Sequence, residues 1–174
     1  CSGNLLSTLN IGNNSDLEIL NCSDNTISTV DFSFNPNLIE LNISNIRNWL
    51  KEHSLDAYII PHSDEYLSEY IPPENERLAW LTGFTGSAGM AIVSRKSAAI
   101  FVDGRYTVQV REQVNNSLFN ILHIINDPWI EWIKSNHLSG AIIGYDSRMH
   151  QAKWKKQTNK SLNDNFKLKA IKDN

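Results

Sequence analysis

The sequence is poor in cysteine, has no long hydrophobic run and has no excess of basic residues. Its two cysteines, Cys1 and Cys22, are too few for a disulfide framework, so a reducing compartment suits the protein. No apolar run approaches the roughly 18 residues of a membrane span, and we expect no secretory signal. The net charge of −3 provides no basic face for nucleic acid. We therefore expect a cytoplasmic protein that binds neither membranes nor nucleic acid.

Lysine and arginine are also missing from the first 46 residues, which differ in composition from the rest of the chain. Asparagine and serine are frequent there, and the stretch Cys1–Leu6 recurs 21 residues later as Cys22–Ile27. The marked positions of a leucine-rich repeat are occupied by Leu17, Leu20, Cys22, Asn25 and Ile27. We therefore expect residues 1–44 to form a leucine-rich-repeat-like segment. A disordered leader that repeats itself by chance is the alternative.

Repeat modules of this kind bury a core only by stacking, and about three or more of them are needed. Two units and a remainder should therefore be marginally stable, unless they dock on a neighbour or belong to a longer array. Because the sequence opens with Cys1 rather than Met, we expect a fragment. The expected origin of residues 1–44 is a fusion or an artefact of gene assembly.

The junction with the next domain has two interpretations. The strand pattern of the repeat continues through Leu38, Leu41 and Ile43. One face of a helix is formed equally well by Ile39, Ile43, Ile46 and Leu50. We place the boundary near Ser44, between residues 37 and 46, and assign residues 45–174 to a second domain.

Helical and strand patterns alternate from residue 46 onward, which predicts an α/β fold. Predicted strands cover residues 57–60, 90–93, 98–102, 119–125, 141–145 and 166–171. Predicted helices cover residues 46–50, 74–81, 103–114, 128–137 and 148–162, with Asp103 and Asp127 as N-caps. A hairpin joins the second and third strands, and helices make the other connections. We therefore expect a mixed sheet flanked by helices.

The candidate binding residue is Arg105, in the sequence Asp103-Gly104-Arg105. It lies at the end of a predicted strand and just inside the start of a helix. A guanidinium group in this position can project from the sheet edge and bind a carboxylate through two parallel hydrogen bonds. An ordinary surface or structural salt bridge is the alternative.

Three further patterns suggest chemistry but have simpler explanations. The glycines Gly83, Gly86 and Gly89 lack the spacing of a phosphate-binding loop, so we expect a closely packed turn. Ser87 lies outside a nucleophile-elbow sequence and has no predicted base. The most metal-like cluster, for which a solvated loop is expected, consists of His62, Asp64, Glu65 and Glu69. We therefore expect no catalytic residue and no metal ligand in this chain.

Several motifs, in order and with matching gaps, give the second domain a family resemblance. They are the stretches 68–73, 77–89 and 101–106, together with residues 55–61, 64–65 and 144–146. On these motifs, residues from about 46 to 174 resemble the first domain of the three-domain Xaa-Pro aminopeptidases, in the creatinase/prolidase superfamily. The resemblance implies a ribonuclease-H-like arrangement of the sheet and helices.

The resemblance also implies where the chemistry resides. In this family a C-terminal domain holds two divalent ions, usually manganese, through two Asp, one His and two Glu, and cleaves the bond before a proline. The resemblance places that catalytic domain and the middle domain outside these residues, so we expect no cofactor in this chain and no activity from it alone.

The expected role of the first domain is therefore accessory. It would cover the active-site cleft and restrict the peptides that enter, and the resemblance assigns Arg105, with Asp103 and Gly104 as its supporting turn, to contact with the peptide. Tyr70 and Arg77 match positions with structural roles. Expected partners are the missing domains, proline-containing peptides and a second copy of the parent enzyme. The alternatives are a leucine-rich-repeat-type protein-binding module and a stand-alone peptide-binding domain.

Overall fold

The helices and strands follow the predicted order. The computed structural model describes residues 2–11, 13–14, 16–17, 20, 26, 36–68, 70–163 and 165–171. Its helices are α1 (Pro36–Glu52), α2 (Arg77–Thr82), α3 (Gln109–Gln113), α4 (Trp129–Asn136) and α5 (Ala152–Leu162). Its strands are β1 (Ala57–Pro61), β2 (Gly89–Ser94), β3 (Ala98–Val102), β4 (Asn120–His123), β5 (Ile142–Asp146) and β6 (Lys167–Ile171). Short 3₁₀ helices cover Pro73–Asn75, Gly104–Tyr106 and Ser147–Met149.

The strands form one mixed sheet in the order β4-β3-β2-β1-β5-β6. β2 runs antiparallel to both of its neighbours, β1 and β3. The pairs β3–β4, β1–β5 and β5–β6 are parallel. α3 connects β3 to β4, and α5 connects β5 to β6. The prediction of a mixed sheet flanked by helices is confirmed.

Both faces of the sheet are covered, because alternate residues of a strand point to opposite sides. On one face, Tyr58 and Ile60 of β1 join a core that includes Leu50 of α1 and Leu81 of α2. On the other face, Ala57 and Ile59 join a core with Ile133 of α4 and Leu162 of α5. The central strands are therefore held rigidly between two helical layers.

The helix α1 is continuous across the predicted domain boundary at residues 44 and 45. Of the two interpretations of this stretch, the helical face is the one observed, and Ile39, Ile43 and Leu50 are buried on it. The side-chain amide of Asn42 donates a hydrogen bond of 2.9 Å to the backbone oxygen of Trp80 in α2. Residues 36–44 are thus packed as part of the sheet domain.

Only part of the predicted repeat segment can be compared with the structure. Cys1, Cys22, Asn25 and Ile27 lie outside the described residues. Among the described ones, Ile11 is buried, and the backbone N–H and the hydroxyl of Thr26 both donate to the backbone oxygen of Leu6 at 2.9 Å. This contact joins positions 20 residues apart, close to the repeat length. The leucine-rich repeat stays a prediction.

The predicted N-cap at Asp127 is wrong. α4 begins one residue later than expected, at Trp129, and its N-cap Pro128 has no side-chain oxygen to offer. The carboxylate of Asp127 instead accepts a hydrogen bond of 3.0 Å from the backbone N–H of His123. Asp127 therefore closes the turn after β4 and leaves the helix start uncapped by a side chain.

An aromatic cluster between β5 and α5 contains a histidine that burial keeps neutral. His150 stacks on Trp154, with ring centroids 3.7 Å apart and planes inclined by 17°, and lies 5.8 Å from the ring of Tyr145. Its Nε2 atom is buried and has no hydrogen-bond partner within the described part of the chain. Burial lowers the pKa of His150 to about 4.

We expect the lowered pKa of His150 to make the folded chain less stable in mild acid. Because its pKa is lower in the folded chain than the ordinary 6.5, its contribution is complete above pH 6.5 and is lost as the pH falls toward about 4. We expect this histidine to lower the free energy of unfolding by about 2 kcal/mol between pH 7.5 and pH 4.5. The value is reduced because the ring keeps some solvent contact. Urea unfolding at pH 7.5 and 4.5 should show a smaller pH effect in His150→Phe than in the wild type. Equal pH effects in both proteins would contradict the assignment.

Candidate functional site

Five strands end at the same edge of the sheet, which we call the carboxyl edge. The pairing places Pro61 of β1 and Val102 of β3 beside the start of β2, and Ile171 of β6 beside Asp146 of β5. β4 is parallel to β3 and ends there too, at His123. In open α/β sheets, ligands bind outside the carboxyl ends of the strands. The residues that follow β1, β3 and β5 are therefore the candidates for a site.

Arg105 lies on this edge, and its guanidinium group is held by its own neighbour. One carboxylate oxygen of Asp103 accepts the backbone N–H of Arg105 at 2.9 Å, so Asp103 caps the 3₁₀ helix as predicted. The Nε atom donates to the Asp103 carboxylate at 3.1 Å, and Nη2 donates to Oδ2 at 2.6 Å. The Arg105 side chain is nevertheless 67% exposed.

The charges of this pair reinforce one another. Hydrogen bonds from Arg105 lower the pKa of Asp103, and the Asp103 carboxylate raises the pKa of Arg105, so both groups are ionised at neutral pH. Surface ion pairs contribute little to stability. The pair instead fixes the guanidinium orientation, with further support from the Tyr106 ring, whose centroid is 5.2 Å from Cζ.

The glycine-rich turn before β2 packs against Tyr106, the residue that follows Arg105. Gly83 ends α2 with a φ of 77°, in the left-handed region. Tyr106 packs edge-on against Phe84 at 5.5 Å, and its hydroxyl is 2.7 Å from that of Ser87. A Cβ on Gly86 would lie 2.2 Å from the Phe84 ring. The predicted closely packed turn is confirmed, and the polar partner of Ser87 is a tyrosine hydroxyl.

A second turn with the same chemistry follows β5, and our sequence reasoning did not identify it. The carboxylate of Asp146 accepts the backbone N–H of Arg148 at 2.9 Å, Nε at 3.1 Å and Nη2 at 2.7 Å. The Asp146 side chain is 4% exposed and the Arg148 side chain 46%. Burial raises the pKa of Asp146, but the hydrogen bonds from Arg148 outweigh it and the pKa is lowered. The recurring Asp-x-Arg spacing after a strand was the available signal.

The metal-like cluster after β1 is occupied by structural contacts. Asp64 is 1% exposed, and its Oδ1 accepts the backbone N–H groups of Tyr66 and Ser68 at 3.0 and 2.9 Å. His62 lies 3.6 Å from a carboxylate oxygen of Glu76, while Glu69 is outside the described residues. The expected solvated loop is thus wrong for Asp64, which is buried because it caps the turn. Hydrogen bonds from that backbone lower its pKa.

The residues that the structure describes do not form a site for a pair of metal ions. Within the described parts of the chain, no group of three or more His, Cys, Asp or Glu side chains could hold a cation. A shallow cleft of about 430 Å³ is present at the opposite edge, beside the Asp56–Arg95 ion pair and His137. It lies away from the carboxyl edge and does not include Arg105.

No helix in the described ranges is long and apolar enough to cross a membrane.

Comparison with known proteins shows the family of this α/β domain. A family model for the creatinase/prolidase N-terminal domain matches residues 42–173, and the chain belongs to this family. Human Xaa-Pro aminopeptidase 2 is 33% identical over 129 residues, which make up 74% of this chain and 19% of the human protein. The chain therefore spans about a fifth of the length of this curated relative.

Solved structures share this fold. An X-prolyl aminopeptidase from Caenorhabditis elegans, described as a cytosolic enzyme with a di-nuclear active site, has a TM-score of 0.71 at 23% identity. The match covers 78% of this chain and 24% of that one. The N-terminal domain of the cytoplasmic peptidase PepQ from Mycobacterium tuberculosis has a TM-score of 0.58 at 19% identity, covering 75% and 92% of the two chains. At these identities the likeness establishes the fold.

Proposed function

We propose that this chain is the non-catalytic N-terminal domain of an Xaa-Pro aminopeptidase, a metallopeptidase that removes an N-terminal residue preceding proline. The observation that carries the proposal is the family match over residues 42–173, which corresponds to only about a fifth of a relative named for this activity. The domain covers the active-site cleft and restricts and positions the peptide. The remaining domains of the same polypeptide are its partners, and the enzyme is a cytoplasmic homodimer.

The chemistry in this proposal belongs to the catalytic domain. Two divalent ions, which we expect to be manganese, would be held there and would activate the water that cleaves the peptide bond. Among the described residues, no group of three or more His, Cys, Asp or Glu side chains could hold a cation, and His62 and Asp64 already have protein partners. What this chain supplies is a rigid sheet edge with an oriented guanidinium group.

Arg105 is the residue that would contact the peptide. Asp103 engages its Nε and Nη2 atoms, whereas no partner for Nη1 is found in the described part of the chain. A guanidinium group fixed on one side can offer its other N–H groups to a carboxylate or a backbone carbonyl without much further loss of side-chain entropy. The supporting turn of Asp103 and Gly104 thus pre-organises the contact.

Replacing Arg105 with alanine in the full-length enzyme tests this role. We expect kcat/KM for an Xaa-Pro-Xaa peptide to fall by roughly tenfold to a hundredfold, the effect of losing one charge-assisted hydrogen bond to the substrate. The thermal unfolding temperature should stay close to that of the wild type, because the Arg105 side chain is largely exposed. Steady-state kinetics and calorimetry measure the two quantities.

Arg111 provides the matched control for this experiment. It is an exposed arginine in α3, six residues further along the chain. Arg111→Ala removes the same charge and should leave kcat/KM within about twofold of the wild type, as surface substitutions usually do. Unchanged kinetics in Arg105→Ala, or an equal loss in both variants, would remove Arg105 from the site.

The second candidate function is partner binding by a leucine-rich-repeat-like segment ahead of the sheet domain. The hydrogen bonds from Thr26 to Leu6 favour it, because they join two stretches about one repeat apart. Repeat modules need several stacked units to form a binding surface. Sequencing the gene upstream of Cys1 tests this candidate: further 21-residue units would support it, and a start codon directly before Cys1 would exclude it.

A further inference from the structure

The two Asp-x-Arg turns of the carboxyl edge share one geometry. In each, an aspartate at a strand end accepts the arginine backbone N–H at 2.9 Å, Nε at 3.1 Å and Nη2 at 2.6 or 2.7 Å. Each arginine lies in a 3₁₀ helix of three residues that follows directly. The chain therefore presents two guanidinium groups in the same way, one after β3 and one after β5.

The second turn is the more firmly anchored of the two. The Asp146 carboxylate is almost fully buried, so Arg148 is held against the sheet while half of its side chain is exposed. Its Nη1 atom has no partner among the described residues. Arg77 lies close enough to affect the same buried carboxylate, and its Nη1 is 3.3 Å from the Met149 sulfur. Asp146 is the main cause of the raised pKa of Arg148, and Tyr58 and the exposed Glu65 add smaller electrostatic effects in the same direction.

The spacing of the two arginines suits an extended peptide. β3 and β5 are separated in the sheet by β2 and β1. Neighbouring strands lie roughly 4.8 Å apart, so the two turns are about 14 Å from each other. An extended chain advances roughly 3.3 Å per residue, so about four residues of a peptide would reach from one guanidinium to the other.

We propose that Arg148 is a second substrate contact, which binds a carboxylate of the peptide about four residues away from the group contacted by Arg105. The inference rests on the proposed function, because it requires a peptide lying along the carboxyl edge. The carboxylate can be an acidic side chain or the peptide C-terminus. Arg148 is then a specificity-determining residue that favours acidic groups at one position of longer peptides.

The test uses the full-length enzyme and two series of peptides. In the first series, amidated Ala-Pro-polyalanine peptides carry a single Glu, or a single Gln, at each position from three to eight. In the second series, Ala-Pro-polyalanine peptides of increasing length end in a free carboxylate or an amide. We expect wild-type kcat/KM to favour Glu over Gln by about fivefold at one position, the size of an exposed ion pair. The series in which the preference occurs identifies the source of the carboxylate.

Arg148→Ala should lower kcat/KM for the preferred acidic peptide about fivefold and so abolish this preference. Arg148→Lys should restore only part of it, because an ammonium group lacks the planar fork of the guanidinium. The lysine variant also provides a test if Arg148→Ala misfolds. Thermal unfolding of each variant shows whether it is folded. The control Lys156→Ala removes an exposed charge of α5 and should keep the full preference.

Three results would overturn the inference: no acidic preference in the wild type, the same preference in Arg148→Ala, or an equal loss for every peptide in Arg148→Ala. Failure of the proposed function is recognised separately. It would show as no proline-directed hydrolysis by the wild-type enzyme, or as unchanged kinetics in Arg105→Ala on the shortest peptide, and in the former case this inference fails with it.

Discussion

Gly86→Ala should destabilise the chain by about 3 kcal/mol, at the upper end of the effect of overpacking a core. A Cβ at this position would lie 2.2 Å from Cζ of Phe84 and 2.9 Å from Cε1 and Cε2. The Phe84 ring is fully buried and is packed edge-on against Tyr106, so it cannot move aside without displacing its neighbours. Urea unfolding at neutral pH measures the change.

Gly104→Ala is the matched control for this substitution. The nearest atom to its added Cβ is Nε2 of His123 at 3.6 Å, which is an ordinary van der Waals distance. Gly104 also lies in a 3₁₀ helix, where alanine is tolerated. We expect a change of less than about 0.5 kcal/mol. A Gly86→Ala chain as stable as Gly104→Ala would contradict the packed-turn assignment.

The order of the elements could be predicted because each depends on local pattern. β3, for example, is a continuous apolar run and is buried at every residue. The cap at Asp103 was predictable for the same reason, since its partner is two residues away. The extent of α1 was not, because strand and helix patterns overlapped there; packing of α1 on α2, through Asn42 and Trp80, accompanies the helical outcome.

The features that sequence reasoning missed are aspartates whose hydrogen-bond partners lie only two to four residues away, in turns. Asp127 precedes a helix, but its carboxylate is used by the turn at His123. Asp64 is charged and in a loop, yet it is buried because neighbouring backbone N–H groups satisfy it. Asp146 and Arg148 form a local pair, but its importance emerges only when the sheet order places it on the same edge as Arg105.

The largest expected effect concerns the isolated chain. Supplied with manganese, it should hydrolyse an Xaa-Pro-Xaa peptide at least about a million times more slowly than the full-length enzyme, since rate accelerations of that size or more require the catalytic domain. Its described residues offer no set of three ligands for an ion. In the metal-like cluster after β1, Asp64 caps a turn and His62 lies beside Glu76. The control is the full-length enzyme, assayed with and without a chelator.

The most direct measurement of this account is therefore the release of the N-terminal residue from Ala-Pro-Ala by the 174-residue chain in the presence of Mn²⁺. The account predicts product formation at the rate of the buffer alone, while the full-length enzyme turns over and Arg105→Ala lowers its kcat/KM. Turnover by the isolated chain at an enzyme-like rate, abolished by a chelator, would contradict it.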